Sequence, residues 1–185
     1  QRRQWAFRNQ TQDRNQKSEE KTKQKKKKKN QNNSMPLITL GIIGSGQLGS
    51  LLCQAAKKLK IKTVVISDDK EGPAQKYADE FIYTKYDNKN KIHEFIKKVN
   101  VVTFEFENIP VEILKEINKE KKVFPKPEIN QVIQNRKLEK TFINNLGIKT
   151  TKWSFIKSAE NVKKNENLLP GFLKTNTLGY DGHGQ

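Results

Sequence analysis

From residue 37 onward the apolar positions fall into two alternating patterns. Short runs at residues 37–43, 63–66, 81–83 and 101–104 have the length and β-branched content of strands covered on both faces. Between them, Leu48, Leu51, Leu52, Ala55, Ala56 and Leu59 recur with helical spacing, as do Ile92, Phe95, Ile96 and Val99. A further helix carries Val111, Leu114 and Ile117, with Pro110 expected at its first helical position. Strands alternating with helices predict an α/β fold: a parallel sheet with helices on both faces.

The rhythm changes after Phe124-Pro125-Lys126-Pro127. Two helices are expected at 128–134 and 137–146, the second stopped by Gly147 in the manner of a C′ glycine. Residues 153–156, a short polar helix at 159–164, and Phe172-Leu173-Lys174 then read as the opening of a strand-rich unit, which stops inside a glycine-rich loop. The expected organisation is an extension at 1–34, a Rossmann-like domain at 35–125, and linker helices with the start of a second domain at 126–185.

Composition sets residues 1–34 apart. They hold 12 basic residues against Asp13, Glu19 and Glu20, giving +9 of the chain's formal +17, and only Trp5, Ala6 and Phe7 are apolar. Too little apolar surface is available there to offset ordering entropy, so the extension is expected to be disordered. The lysine run at 25–29 would meet polyanions non-specifically. From Met35 onward there are 24 Lys and the single Arg136, a shift that makes Met35 the expected natural start. One cysteine, Cys53, excludes an internal disulfide framework, fits a reducing cytoplasm, and reads as a small core residue. No apolar run reaches the ~18–20 residues of a membrane span.

Three segments carry candidate chemistry. Gly44-Ser45-Gly46-Gln47-Leu48-Gly49 fits G-x-G-x-x-G between a strand and a helix, where backbone N–H groups can face a phosphate. Asp68 at the end of the second strand is placed to meet a ribose hydroxyl, as in an NAD(P)-binding oxidoreductase; the alternative is glycines serving close strand–helix packing. Thr103-Phe104-Glu105-Phe106-Glu107-Asn108-Ile109-Pro110 puts two carboxylates at the carboxyl end of a strand. Alternation would place Glu105 and Glu107 on one side, the alternatives being a solvated Glu107 and an Asn108 that caps the next helix. Lys174 on a strand, followed by Gly179-Tyr180-Asp181-Gly182-His183-Gly184-Gln185, suits a phosphate lid or a hairpin turn with a surface Lys; His183 is a base or incidental.

Taken in order, Gly46-Gln47-Leu48-Gly49, residues 103–110, Arg136-x-x-x-Lys140, and Lys174 with residues 179–185 resemble the N-terminal half of the N5-carboxyaminoimidazole ribonucleotide synthases. These are purine-biosynthetic ligases of the ATP-grasp superfamily. The resemblance implies a Rossmann-like pre-ATP-grasp domain followed by the truncated start of an ATP-grasp domain. It implies ATP contacts at Arg136, Lys174, Gly179, Tyr180, Asp181, Gly182, His183, Gly184 and Gln185, and substrate contacts at Gly46, Gln47, Leu48, Glu105 and Asn108. The implied reaction carboxylates 5-aminoimidazole ribonucleotide with bicarbonate, using ATP and Mg²⁺. Metal ligands and catalytic groups are expected beyond Gln185, so this chain is expected to be inactive alone. A cytoplasmic location is implied, without a membrane partner, and a homodimer is left open. Ser50, Ser45, Leu178 and His183 depart from the family, which commonly has Arg, Gly, Gly and Lys there. The competing readings are an NAD(P)-binding oxidoreductase domain and a basic nucleic-acid-binding module.

Overall fold

A computed structural model describes residues 38–179 and 182–185. The extension at 1–34 lies outside the described residues, as do Tyr180 and Asp181. In chain order the elements are β1 (Thr39–Ile43), α1 (Gln47–Lys58), β2 (Lys62–Ser67), a 3₁₀ turn (Pro73–Lys76), β3 (Glu80–Tyr83), α2 (Lys89–Lys98) and β4 (Val101–Phe104). There follow α3 (Val111–Asn118), β5 (Val123–Phe124), α4 (Pro127–Ile133), α5 (Arg136–Asn145), α6 (Ala159–Lys163) and a second 3₁₀ turn (Glu166–Leu168).

The five strands form one parallel sheet in the order β3-β2-β1-β4-β5. The chain runs outward from β1 to β3 and then crosses back to β4. That reversal leaves a switch point between β1 and β4, and open parallel sheets bind ligands outside the carboxyl ends of strands at such points.

Alternation along the strands divides the core. Ile43, Val64, Ile66 and Val102 face α2 and α3, meeting Ile92, Phe95, Ile96, Leu114 and Ile117. Ile42 and Val65 face the other way, onto Cys53 of α1 and Ala74. Gly41 has a steric reason: a Cβ there would lie 2.6 Å from the Phe95 ring. Asn88 caps α2 by accepting from the Lys91 N–H at 3.2 Å. Cys53 is buried as expected, and that burial pushes its thiol above the ordinary value, away from nucleophilic use.

Several elements differ from the sequence expectation. Helix α1 buries its small residues, Gly49, Ser50, Cys53 and Ala56, while Leu48, Leu51 and Leu59 are exposed. The helix lies too close to the sheet for leucines: a Cβ on Gly49 would be 3.2 Å from the Gly44 carbonyl oxygen. Pro110 is the N-cap of α3 rather than its first helical residue. Residues 153–156 and 172–174 are not strands, so Lys174 is exposed on irregular backbone. Extended apolar runs become strands only by pairing, and neither segment joins a ladder among the described residues. Gly147, at φ +76°, does terminate the helix that ends at Asn145, as expected. On that helix, α5, no residue is buried, and Leu138, Phe142 and Leu146 are exposed.

Candidate functional site

The turn after β1 is built around one carboxylate. Gly44 takes a positive φ of 99°, and its N–H bonds the Ile66 carbonyl at 2.9 Å, ending the strand. Buried Ser45 places its Oγ 2.8 Å from the Ser67 Oγ and 3.0 Å from the Asp69 carbonyl, which fixes the turn against β2. Helix α1 then starts at Gly46 with no side-chain cap of its own and no acid in its first turn. The cap comes from the end of β4. Glu105 Oε1 accepts from the Gly46 N–H, and Oε2 accepts from the Gly49 N–H at 2.6 Å. One carboxylate, more than fifty residues away, thereby satisfies the same N-cap and N3 donors that a capping box serves.

The three fingerprint glycines follow from that contact. A Cβ at Gly44, Gly46 or Gly49 would stand 2.6, 2.8 or 3.2 Å from the nearest Glu105 side-chain atom. The N–H groups expected to receive a ligand phosphate therefore donate to an internal anion. Gln47 and Leu48 stand exposed at the rim of the same turn, and Asp68 is exposed at the end of β2.

A second constellation forms where α4 passes into α5. Strand alternation ends at Phe104, so Glu105 and Glu107 part company: Glu105 turns to the glycines, and Glu107 lines a different cleft. That cleft, of about 310 Å³, is bordered by Glu107, Asn108, Gln134, Arg136, Glu139 and Asn176, with Gly179 at its edge. Asn108 does not cap α3. Instead it shares the cleft with Arg136, so one residue expected on the substrate side and one expected on the nucleotide side are brought together.

Arg136 reaches across this cleft. Its Nε donates to the Thr175 carbonyl at 3.0 Å and its Nη2 to the Gly179 carbonyl at 2.8 Å. Its backbone N–H bonds the Asn176 carbonyl at 2.9 Å. Gly179 permits the approach, since a Cβ there would lie 2.9 Å from Arg136 Nη2. The glycine-rich loop turns back on itself: Gly182 and Gly184 have φ of 85° and 72°, and the Thr175 N–H donates to the Gly184 carbonyl at 2.7 Å. His183 and Gln185 are exposed on that turn, and Tyr180 and Asp181 lie outside the described residues.

Sequence reasoning passed over Gln134, at the C-terminal end of α4, which donates to the Glu107 and Ile109 carbonyls at 2.5 and 2.6 Å. Its signal was faint: an amide two positions before Arg136, the single arginine after Met35. Among the described residues no three His, Cys, Asp or Glu side chains gather as a metal site. No described helix is long and apolar enough to cross a membrane.

Known proteins resemble this chain over most of its length. A bifunctional purine synthesis protein purC/E of Dictyostelium discoideum is 39% identical over 152 residues, covering 81% of this chain and 15% of that protein. An N5-carboxyaminoimidazole ribonucleotide synthase of Brucella melitensis is 36% identical, covering 81% of this chain and 42% of the relative. The solved N5-carboxyaminoimidazole synthetase of Staphylococcus aureus, complexed with ADP, superposes with a TM-score of 0.73 at 34% identity, over 80% of this chain and 40% of that one. The chain thus spans less than half the length of these relatives. Residues 37–134, which include the five-stranded sheet, the glycine turn, Glu105 and Gln134, match the ribonucleotide synthetase preATP-grasp domain, and the chain belongs to that family.

Proposed function

We propose that this chain supplies the ribonucleotide-facing domain and part of the nucleotide-facing segment of a ligase that carboxylates 5-aminoimidazole ribonucleotide in purine biosynthesis, in the cytoplasm. The observation that carries the reading is Glu105 seated on the N-terminus of α1. A dinucleotide-binding domain needs those N–H groups for its pyrophosphate. Here an internal carboxylate accepts from two of them, Gly46 and Gly49, which counts against the NAD(P) alternative.

The proposed chemistry balances with ATP and bicarbonate as co-substrates. Bicarbonate oxygen attacks the γ-phosphorus of ATP, the bond to the β-phosphate oxygen breaks, and carboxyphosphate and ADP form. The exocyclic amine of the ribonucleotide then attacks the carboxyl carbon, phosphate leaves, and the amine gives up a proton. Two lone-pair sites on each Glu105 oxygen leave acceptors free beyond its two backbone bonds, suited to ribose hydroxyls or the amine. Gly46, Gln47, Leu48 and Asn108 are proposed to complete that side. Arg136 spends two of its five N–H donors on the carbonyls of Thr175 and Gly179, and the other three suit phosphate oxygens. Lys174 and residues 179–185 are proposed to close over the nucleotide. Mg²⁺ would supply charge neutralisation to the phosphates.

Calorimetric titration of the 185-residue chain with 5-aminoimidazole ribonucleotide and separately with NAD tests the reading. Saturable heat with the ribonucleotide and none with NAD is the expected result. Tight NAD binding with no response to the ribonucleotide would reverse the assignment.

A further inference from the structure

We infer that Gln134 is a positioning residue that couples the loop at 105–109 to the segment at 175–179, so that a change at one is felt at the other. Its functional meaning rests on the two-ligand reading above. Gln134 ends α4, and its amide nitrogen holds the Glu107 and Ile109 carbonyls together. One turn earlier the fully buried Asn130 reaches the same Ile109 carbonyl at 3.3 Å. The loop that carries Glu105, Glu107 and Asn108 is thereby gripped from α4.

Two residues later Arg136 begins α5 and grips the other segment through Thr175, Asn176 and Gly179. The Lys137 N–H adds a bond to Asn176 Oδ1 at 3.1 Å. The connection between the two grips is short and stiff. Asn135 donates its N–H to the Val132 carbonyl at 3.2 Å and caps α5 through the Leu138 N–H at 3.1 Å. Gln134 and Arg136, joined by Asn135, therefore hold the two walls of the 310 Å³ cleft. A displacement of either wall is therefore transmitted through this junction, and such coupling is reciprocal.

Amide NMR and hydrogen exchange on the ¹⁵N-labelled 185-residue chain test this without any ligand. In Gln134→Met, which removes both donors, amide signals at 105–109 and at 175–179 should both move. Exchange of the Thr175 N–H, which is bonded to the Gly184 carbonyl, should quicken by about tenfold, comparable to losing one or two ordinary hydrogen bonds. Gln134→Lys restores a donor and should return both sets toward the parent. Arg136→Met should move signals at 105–109 in turn. If the Met variant fails to fold, Gln134→Glu keeps the shape without the donor and is read in the same way. Movement confined to 105–109, or no recovery with Lys, would reduce Gln134 to a local anchor and overturn the inference. A second arm adds 5-aminoimidazole ribonucleotide and ADP separately. Cross-segment shifts should occur in the parent and vanish in Gln134→Met. Silence of the parent toward both ligands would sink the proposed function, while the ligand-free arm would still decide the role of Gln134.

Discussion

Replacing Glu105 with Gln keeps the shape of the side chain but removes its charge and one of its two acceptors. In either amide orientation, one of the Gly46 and Gly49 N–H groups then faces an NH₂. The lost charge-assisted bond is worth about 1.5–3 kcal/mol. The lost anion at a helix N-terminus adds about 0.3–1 kcal/mol. The variant should therefore be about 2–4 kcal/mol less stable, on the order of 4–16 °C in Tm for a domain of this size. Urea unfolding followed by circular dichroism reads the loss directly, with an unchanged slope showing that only stability moved. Glu105→Ala supplies the complementary measurement, because it empties the helix N-terminus. Phosphate at tenfold over its Kd should then stabilise the Ala variant by about 1.4 kcal/mol. The parent should not respond, and chloride at matched ionic strength serves as control. A Gln variant melting within a degree of the parent would refute the reasoning, and so would equal phosphate stabilisation of parent and Ala variant.

Gly41→Ala should cost about 1–3 kcal/mol by overpacking against Phe95, and Phe95→Leu in the same chain should recover part of it; chemical unfolding of the three variants checks this. Burial, and secondly the Asp68 carboxylate, push the Tyr86 phenol well above its ordinary value. Above about pH 10 the unfolded chain loses this proton while the folded chain keeps it, so stability should fall as pH rises from there. Tyr86→Phe should flatten that decline in unfolding measured across alkaline pH. In a chimera joining residues 37–185 to the remaining part of a full-length synthase, Arg136→Ala should raise the KM for ATP by about tenfold or more. Arg136→Lys should recover only part, because a point charge cannot hold the Thr175 and Gly179 carbonyls as a fork does.

The sheet was readable because parallel strands are apolar on both faces: four of the five appeared as unbroken runs, displaced by a residue or two at their ends. The fifth, Val123–Phe124, is two residues long and too short to carry a period. The buried face of α1 was read only in part. Cys53 and Ala56 are buried as expected, but close approach to the sheet turns Gly49 and Ser50 inward and leaves Leu48, Leu51 and Leu59 exposed. The two apolar runs after residue 150 lacked what no local pattern supplies, a neighbouring strand. In the candidate site, Glu105 and Arg136 stood out by residue type. Gln134 did not, because an amide that bonds backbone carbonyls is indistinguishable in sequence from a solvated one.

The glycine fingerprint shows where sequence reasoning reaches its limit. G-x-G-x-x-G reports that an anion approaches a helix N-terminus more closely than a Cβ allows; it carries no information on who owns the anion. In this chain α1 lacks a Ser, Thr, Asp or Asn at its N-cap and lacks an acid in its first turn, so its first N–H groups need an acceptor from elsewhere. A dinucleotide enzyme leaves that acceptor to its cofactor. Here β4 delivers Glu105 to the same place, held in register by the Glu105 N–H bonding the Ile43 carbonyl at 3.2 Å. The switch point between β1 and β4 is thus locked before any ligand arrives. A ligand arriving there meets a carboxylate that already holds two of the N–H groups of the turn, flanked by exposed Gln47 and Leu48. Such a surface favours hydroxyl and amine donors, the groups of the proposed ribonucleotide, over a pyrophosphate.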